Sequence, residues 1–167
     1  MKVIIYNQLS TTDRKKYSLQ LQYLLIDYFK ERHTSVKDNP LFASIMINQL
    51  IELGYLIYLV INDNDEVLGF TIVSINDQWG MLEEKFIVCD YMYIVPKYRG
   101  SRVTRLLFIT VGKLAMDYGY DVLGSTMVGS SNIHNTEIVG GEIIANLVLM
   151  TRDSFKNKFK KYMKGYQ

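Results

Sequence analysis

The chain has 167 residues, 49% of them hydrophobic and 22% charged, and its 19 lysines and arginines against 17 aspartates and glutamates leave a formal net charge of +2. A chain of this length buries a sizeable core as a single domain, expected over residues 1–167, without metals or disulfides. The near balance of charge does not indicate a strong overall attraction to nucleic acid, and no apolar run approaches the roughly 20 residues that cross a bilayer. Cys89 is the sole cysteine, so an intramolecular disulfide is excluded. The start MKVIIYNQLS lacks the length and cleavage pattern of a secretory signal, and a cytoplasmic location is expected.

The β-branched run 3–6 predicts a first strand, ended by the polar residues 7–10. Thr11 or Thr12 is placed to cap a helix with Asp13 in its first turn, and Tyr17, Leu21, Leu24, Leu25, Tyr28 and Phe29 recur on one face until about His33. Asn39-Pro40 starts a second helix, because proline at the first helical position gives up no hydrogen bond; Gly54 closes it. Residues 55–61 and 67–75 form an antiparallel hairpin around Asn62-Asp63-Asn64-Asp65. That acidic run lacks the later glutamate and glycine spacing of a calcium loop and reads as a polar turn. Residues 76–84, with Trp79-Gly80, connect to a strand over 86–95.

The stretch 91–118 carries the main functional signal. An apolar strand passes through Val95-Pro96 into a short loop holding Lys97, Arg99, Gly100, Ser101 and Arg102, then into a strongly periodic helix. The first N–H groups of a helix lack intrahelical acceptors and the macrodipole adds positive potential, so such a loop suits a phosphate. Ser101 is the expected cap, with Val103, Leu106, Leu107, Val111, Leu114, Ala115 and Tyr118 on the packed face. The plainer reading is a basic turn entering a core helix, and a short glycine motif alone does not separate the two. Residues 122–128 follow as a strand, parallel to the one before the helix. A brief helical turn capped by Ser130 or Ser131 runs through Val139, Gly140-Gly141 turns the chain, and a strand covers 142–150. The tail carries Lys156, Lys158, Lys160, Lys161 and Lys164 between Phe155, Phe159 and Tyr162, and reads as a solvated helix with its aromatic side docked. Nucleic-acid contact is its lesser reading.

The run Met92-Tyr93-Ile94-Val95-Pro96-Lys97-Tyr98-Arg99-Gly100 resembles the acetyl-coenzyme A signature of the GNAT N-acetyltransferase superfamily, in which a strand precedes R-G-x-G-x-G/A. The resemblance implies an α/β (α+β) fold with a mixed, mostly antiparallel central sheet of six to seven strands flanked by helices. It also implies acetyl-CoA as cofactor, with loop N–H groups on its pyrophosphate and the strand Met92, Tyr93, Ile94 along its pantetheine arm. Carried over, Arg99 and Gly100 match, Ser101 is a neutral filler, Val103 matches the apolar position, and Asn132 occupies the family's asparagine position. Arg102 stands where the middle glycine is expected and Thr104 where the last glycine or alanine is expected. The family commonly closes with a two-strand hairpin, whereas the segment after Met150 reads as helical; the last strand is expected from 155–163 or is absent.

The implied reaction is direct acyl transfer from a thioester to a primary amine, which needs reactants held at near-attack distance and an oxyanion donor. The N–H of Ile94 is the carried-over donor. The amine must lose a proton before attack, and Asp90, on one strand face with Met92 and Ile94, is the first candidate base. Glu83 and Glu84 come second. His134 titrates in a useful range. The plainer readings are a hydrogen-bonded or exposed strand-end acid for Asp90 and a surface or capping residue for His134. Relatives often protonate the leaving thiolate with a tyrosine seven residues beyond the asparagine, and Val139 occupies that position here. Water, Ser130, Ser131 or His134 then serves, or thiolate leaves unassisted, or the protein does no chemistry. Cys89, without an activating partner in an apolar strand, reads as core. No zinc spacing, serine-hydrolase elbow or Walker loop occurs, and no metal is expected. The partner is an amine-bearing small molecule or macromolecule, with no membrane, and a homodimer stays open. The alternatives are a GNAT-like binding or structural protein without turnover, and a transferase acting on a protein or nucleic acid.

Overall fold

A computed structural model describes residues 1–32, 39–76, 85–125, 142–144 and 147–162. In chain order it contains β1 (Lys2–Ile5), a 3-10 turn (Tyr6–Gln8), α1 (Thr11–Arg32), α2 (Pro40–Glu52), β2 (Leu56–Ile61), β3 (Val67–Asn76) and β4 (Phe86–Ile94). A second 3-10 turn (Pro96–Tyr98), α3 (Arg102–Tyr118), β5 (Asp121–Ser125), β6 (Glu142–Ile144), β7 (Leu147–Met150) and α4 (Arg152–Lys158) follow. The strands form one seven-stranded sheet in the order β1-β2-β3-β4-β5-β7-β6. β4 pairs with β5 in parallel across α3, and β1 with β2, β5 with β7 and β6 with β7 are antiparallel. This is the mixed, mostly antiparallel sheet flanked by helices that the resemblance implies.

The chain divides into two compact units. The first comprises Met1–Ile72 and Tyr91–Leu107. Ser10, not Thr11 or Thr12, caps α1: its hydroxyl accepts from the Asp13 N–H at 3.1 Å and donates to the Asp13 carboxylate at 2.7 Å. Asn39 caps α2 as its sequence implies, accepting from the Phe42 N–H, with Pro40 in the first turn. Gly54, at φ +83°, ends α2 in the left-handed region. Tyr17, Leu21, Leu24, Leu25 and Tyr28 of α1 are buried with Ile57, Leu59, Ile61, Phe70 and Ile72 of the strands. Each such aliphatic side chain contributes about 1.5–3 kcal/mol through burial. A second cluster joins Val60, Leu68 and Ile94 to Val103 and Leu107 at the start of α3, which seats that helix end against the strands. Val67, Phe70 and Ile72 lie in the first cluster and Leu68 in the second, so side-chain alternation slips by one residue across Gly69. The turn Asn62–Glu66 is a polar hairpin closure: the Asn62 carboxamide accepts from the N–H groups of Asn64 and Glu66.

The second unit comprises Val73–Asp90 and Phe108–Gln167. Phe86–Cys89 pair with Asp121–Gly124 in parallel register. Here the structure corrects the expectation of one strand over 142–150. Glu142–Ile144 and Leu147–Met150 are two strands paired antiparallel, with Ile144 opposite Leu147. The closing hairpin is therefore present, with only two residues between its strands. The tail is helical over Arg152–Lys158 and supplies no strand there. Phe159 is buried while Tyr162 is exposed, so the tail docks one of those two aromatics. Tyr118, expected on the packed face of α3, is also exposed. Cys89 forms no disulfide and is half-buried rather than enclosed in the core. Among the described residues no helix is long and apolar enough to cross a membrane, and no group of three potential metal ligands occurs.

Candidate active site

The loop between β4 and α3 is built by short-range hydrogen bonds. The Tyr98 N–H donates to Val95 O, the Arg99 N–H to Pro96 O and the Ser101 N–H to Tyr98 O. Gly100 sits at φ +70°, and a Cβ built there meets nothing within 4 Å. Its glycine serves the backbone turn and stands in open space. Ser101 caps α3 as expected, accepting from the Val103 N–H at 3.2 Å and donating to Tyr98 O. Val103 is fully buried and anchors the helix mouth.

The two departures from the glycine signature have different consequences. Thr104 folds its hydroxyl back onto the loop, where it accepts from the Gly100 N–H at 3.1 Å. That removes one donor from the set a glycine-rich loop offers. Arg102 is exposed, and the N–H groups of Arg102 and Thr104 have no acceptor among the described residues. Among the described residues the mouth thus keeps two backbone N–H groups without an acceptor, beside the exposed Arg102 side chain, whose charge also acts on Asp63, at the positive end of a 17-residue helix, which fits an anion.

Arg99 is placed differently from a simple phosphate ligand. Its Nη2 contacts Glu31 Oε1 at 2.5 Å and Oε2 at 2.7 Å, and its Nε donates to Ile94 O at 3.0 Å. The guanidinium also lies 5.5 Å from the centre of the Tyr93 ring. The Tyr93 hydroxyl points to Glu31 Oε1 at 3.4 Å, and burial, with the carboxylates of Glu31 and Asp27 adding to it, pushes its pKa up to about 12. Tyr93 packs in the α1 cluster, so its backbone and not its ring is available to a ligand along β4. Met92 and Ile94 pack on the opposite face, with Val103 and Leu107.

The N–H of Val95 donates to Leu68 O on β3, so alternation along β4 turns the N–H groups of Met92 and Ile94 to the other edge. Among the described residues the register of that edge with β5 runs to Cys89 opposite Gly124. The Tyr93–Ile94 peptide is held unusually close to β3: a Cβ on Gly69 would lie 2.8 Å from Tyr93 O and 3.3 Å from the Ile94 Cα.

Asp90 is half-buried on β4. Ser74 donates its hydroxyl to Asp90 Oδ2 at 2.9 Å, and the Asn76 amide donates to Ser74 Oγ at 3.1 Å. Burial raises the Asp90 pKa above its ordinary value, and the Ser74 hydrogen bond partly opposes it. Of the other residues singled out from sequence, Glu83, Glu84, Ser130, Ser131, Asn132, His134 and Val139 lie outside the described residues. Glu31, Gly69, Ser74 and Asn76 were not legible as site residues, because cross-strand register and the packing of α1 on β4 bring them in.

A family model described as acetyltransferase (GNAT) family matches residues 19–137, well over half of the chain. A crystal structure of a probable acetyltransferase superposes with a TM-score of 0.68 at 17% identity, covering 86% of this chain and 91% of that one. A mutant AtaT toxin bound to the C-terminus of the antitoxin AtaR and acetyl-CoA gives a TM-score of 0.61 at 12% identity, over 95% of this chain and 97% of that one. An aminoglycoside acetyltransferase from an uncultured soil metagenomic sample, in complex with sisomicin, gives 0.58 at 14% identity, over 81% and 84%. No curated protein sequence matches this one. Similarity at these identities speaks for the fold, and the family model speaks for descent: the chain belongs to the GNAT acetyltransferase family.

Proposed function

We propose that the protein is an acetyl-CoA-dependent N-acetyltransferase that moves the acetyl group directly to a primary amine. The observation that carries this reading is the mouth of α3, where the N–H groups of Arg102 and Thr104, without an acceptor among the described residues, and the exposed Arg102 side chain are available to a diphosphate. Acetyl-CoA would supply an activated thioester carbonyl. Loop residues Gly100 to Thr104 would hold its phosphates, and the outer edge of β4 at Met92 and Ile94 its pantetheine arm. The Ile94 N–H would face the developing oxyanion, a role typically worth about 3–4 kcal/mol. Asp90 would take the proton from the amine. Asn132 and His134 remain proposals from the sequence pattern alone.

Family membership and neighbours whose names include an aminoglycoside acetyltransferase with sisomicin support an amine-bearing acceptor. A second reading, a family member that binds without turnover, is favoured by one observation: Thr104 occupies the Gly100 N–H that a signature glycine would leave open. The deciding experiment is thiol release from acetyl-CoA across a panel of polyamines, aminoglycosides, amino acids and lysine peptides. Amine-dependent release supports the transferase, and its absence throughout, from folded protein that binds acetyl-CoA, supports the second reading.

A further inference from the structure

We propose that Ser74 and Asn76 are positioning residues that hold the Asp90 carboxylate in one orientation, with Oδ1 presented to the acceptor amine. The proposal rests on the transferase reading. Ser74 and Asn76 stand two residues apart on β3, which puts both on one strand face. Their hydrogen bonds have a fixed sense. A serine hydroxyl has one proton and two lone pairs, and a carboxamide nitrogen can only donate. With the Asn76 amide donating to Ser74 Oγ at 3.1 Å, the hydroxyl proton is directed to Asp90 Oδ2, 2.9 Å away. The rotor of Ser74 is thereby held as a donor, and the carboxylate cannot turn without breaking that bond.

Oδ1 has no hydrogen-bond partner among the described residues, and no cation among them pairs with Asp90. A half-buried carboxylate with one oxygen tied and the other without a partner among the described residues is arranged to accept a proton. The groups that set its proton affinity are burial, which raises it, and the Ser74 hydroxyl, which lowers it; no charged group among the described residues enters. Cys89, its titratable neighbour on β4, points to the other face by alternation.

In the step, Asp90 Oδ1 accepts one proton from the acceptor ammonium. The freed nitrogen lone pair makes the C–N bond as the C–S bond breaks, and the electron pair leaving on sulfur takes the second nitrogen-bound proton, directly or through water. Asp90 then releases its proton to solvent. Loss of the Ser74 bond leaves the carboxylate a stronger base that is wrongly oriented, so turnover should fall while the apparent pKa rises.

The test is a carboxyl-carbon NMR titration of Asp90 in the full-length protein and in Ser74→Ala, Ser74→Thr and Asn76→Ala, beside the pH profile of kcat/KM. Ser74→Ala should raise the Asp90 midpoint, Asn76→Ala should raise it less, and Ser74→Thr should return it to the wild-type value. The acidic limb of kcat/KM should move with the midpoint, with kcat falling at least severalfold and KM for acetyl-CoA unchanged. If Ser74→Ala does not fold, Asn76→Ala against Ser74→Thr gives the same comparison. An unmoved midpoint overturns the relay, and a moved midpoint with an unmoved acidic limb overturns its role in proton transfer. If no amine supports turnover, the transferase reading fails by itself, and the role of the relay in proton transfer falls with it, even where the NMR midpoint moves.

Discussion

The Arg99 guanidinium grips both carboxylate oxygens of Glu31, 68 residues earlier in the chain, while its Nε holds the Ile94 carbonyl. One side chain thus ties the end of α1 to the strand end that leads into the proposed diphosphate loop. Both partners are nearly half-exposed, at 47% and 44%, so solvent screening limits the pair itself. Arg99→Ala should lower unfolding stability by about 1–2 kcal/mol, mostly through the orphaned Ile94 carbonyl, and Glu31→Gln by no more than about 1 kcal/mol. Urea unfolding of both single variants and the double variant measures the coupling, expected at about 0.5 kcal/mol. A coupling of zero would show the contact to be incidental.

Two glycines near the site should be destabilised by a methyl group for different reasons. At Gly69 the added Cβ meets backbone at 2.8 Å, which cannot move aside as a flexible side chain would. Gly69→Ala should cost about 1–3 kcal/mol and, by shifting the Tyr93–Ile94 peptide, reduce kcat more than acetyl-CoA affinity. At Gly100 the Cβ meets nothing, and the cost is only that of φ +70° for an L residue, about 1–2 kcal/mol. Thermal unfolding and steady-state kinetics of the two variants separate the cases.

Asp90 sets a pH-dependent term in stability. Its folded pKa is raised by burial above the unfolded value, so the folded state holds the proton more tightly. The stability it contributes is full below the unfolded pKa and is lost as pH rises through the folded one. Asp90→Asn keeps an acceptor for Ser74 and removes the buried charge. The variant should be more stable than the wild type at neutral pH, with the difference shrinking on acidification. Denaturation midpoints from pH 3.5 to 7.5 read this directly, and a constant difference would contradict it. Activity should be lost in the same variant.

Much of the fold was legible because its signals are local. Asn39-Pro40, the polar turn at Asn62, the periodicity of α3 and the Ser101 cap each act within one or two helical turns, and each is where its residue types imply. The closing hairpin was missed because residues 142–150 are nearly uninterrupted apolar and carry no glycine or proline to divide them into two strands. At the site, Arg102 and Thr104 were visible as departures from a glycine signature, but not what they do: a threonine hydroxyl bonding back to Gly100 depends on the loop conformation. Ser74 and Glu31 carry no sequence signal, since each meets its partner through tertiary packing.

Thr104→Ala should release the Gly100 N–H and tighten acetyl-CoA binding severalfold, while Arg102→Glu should weaken it at least tenfold by placing a carboxylate at the helix mouth. Isothermal titration calorimetry with acetyl-CoA on the wild type and these two variants is the most direct test of the account. It predicts saturable binding by the wild type at one site, strengthened by Thr104→Ala and weakened by Arg102→Glu. A folded wild-type protein giving no saturable heat, or binding indifferent to Arg102→Glu, would contradict the assignment of the α3 mouth as the diphosphate seat.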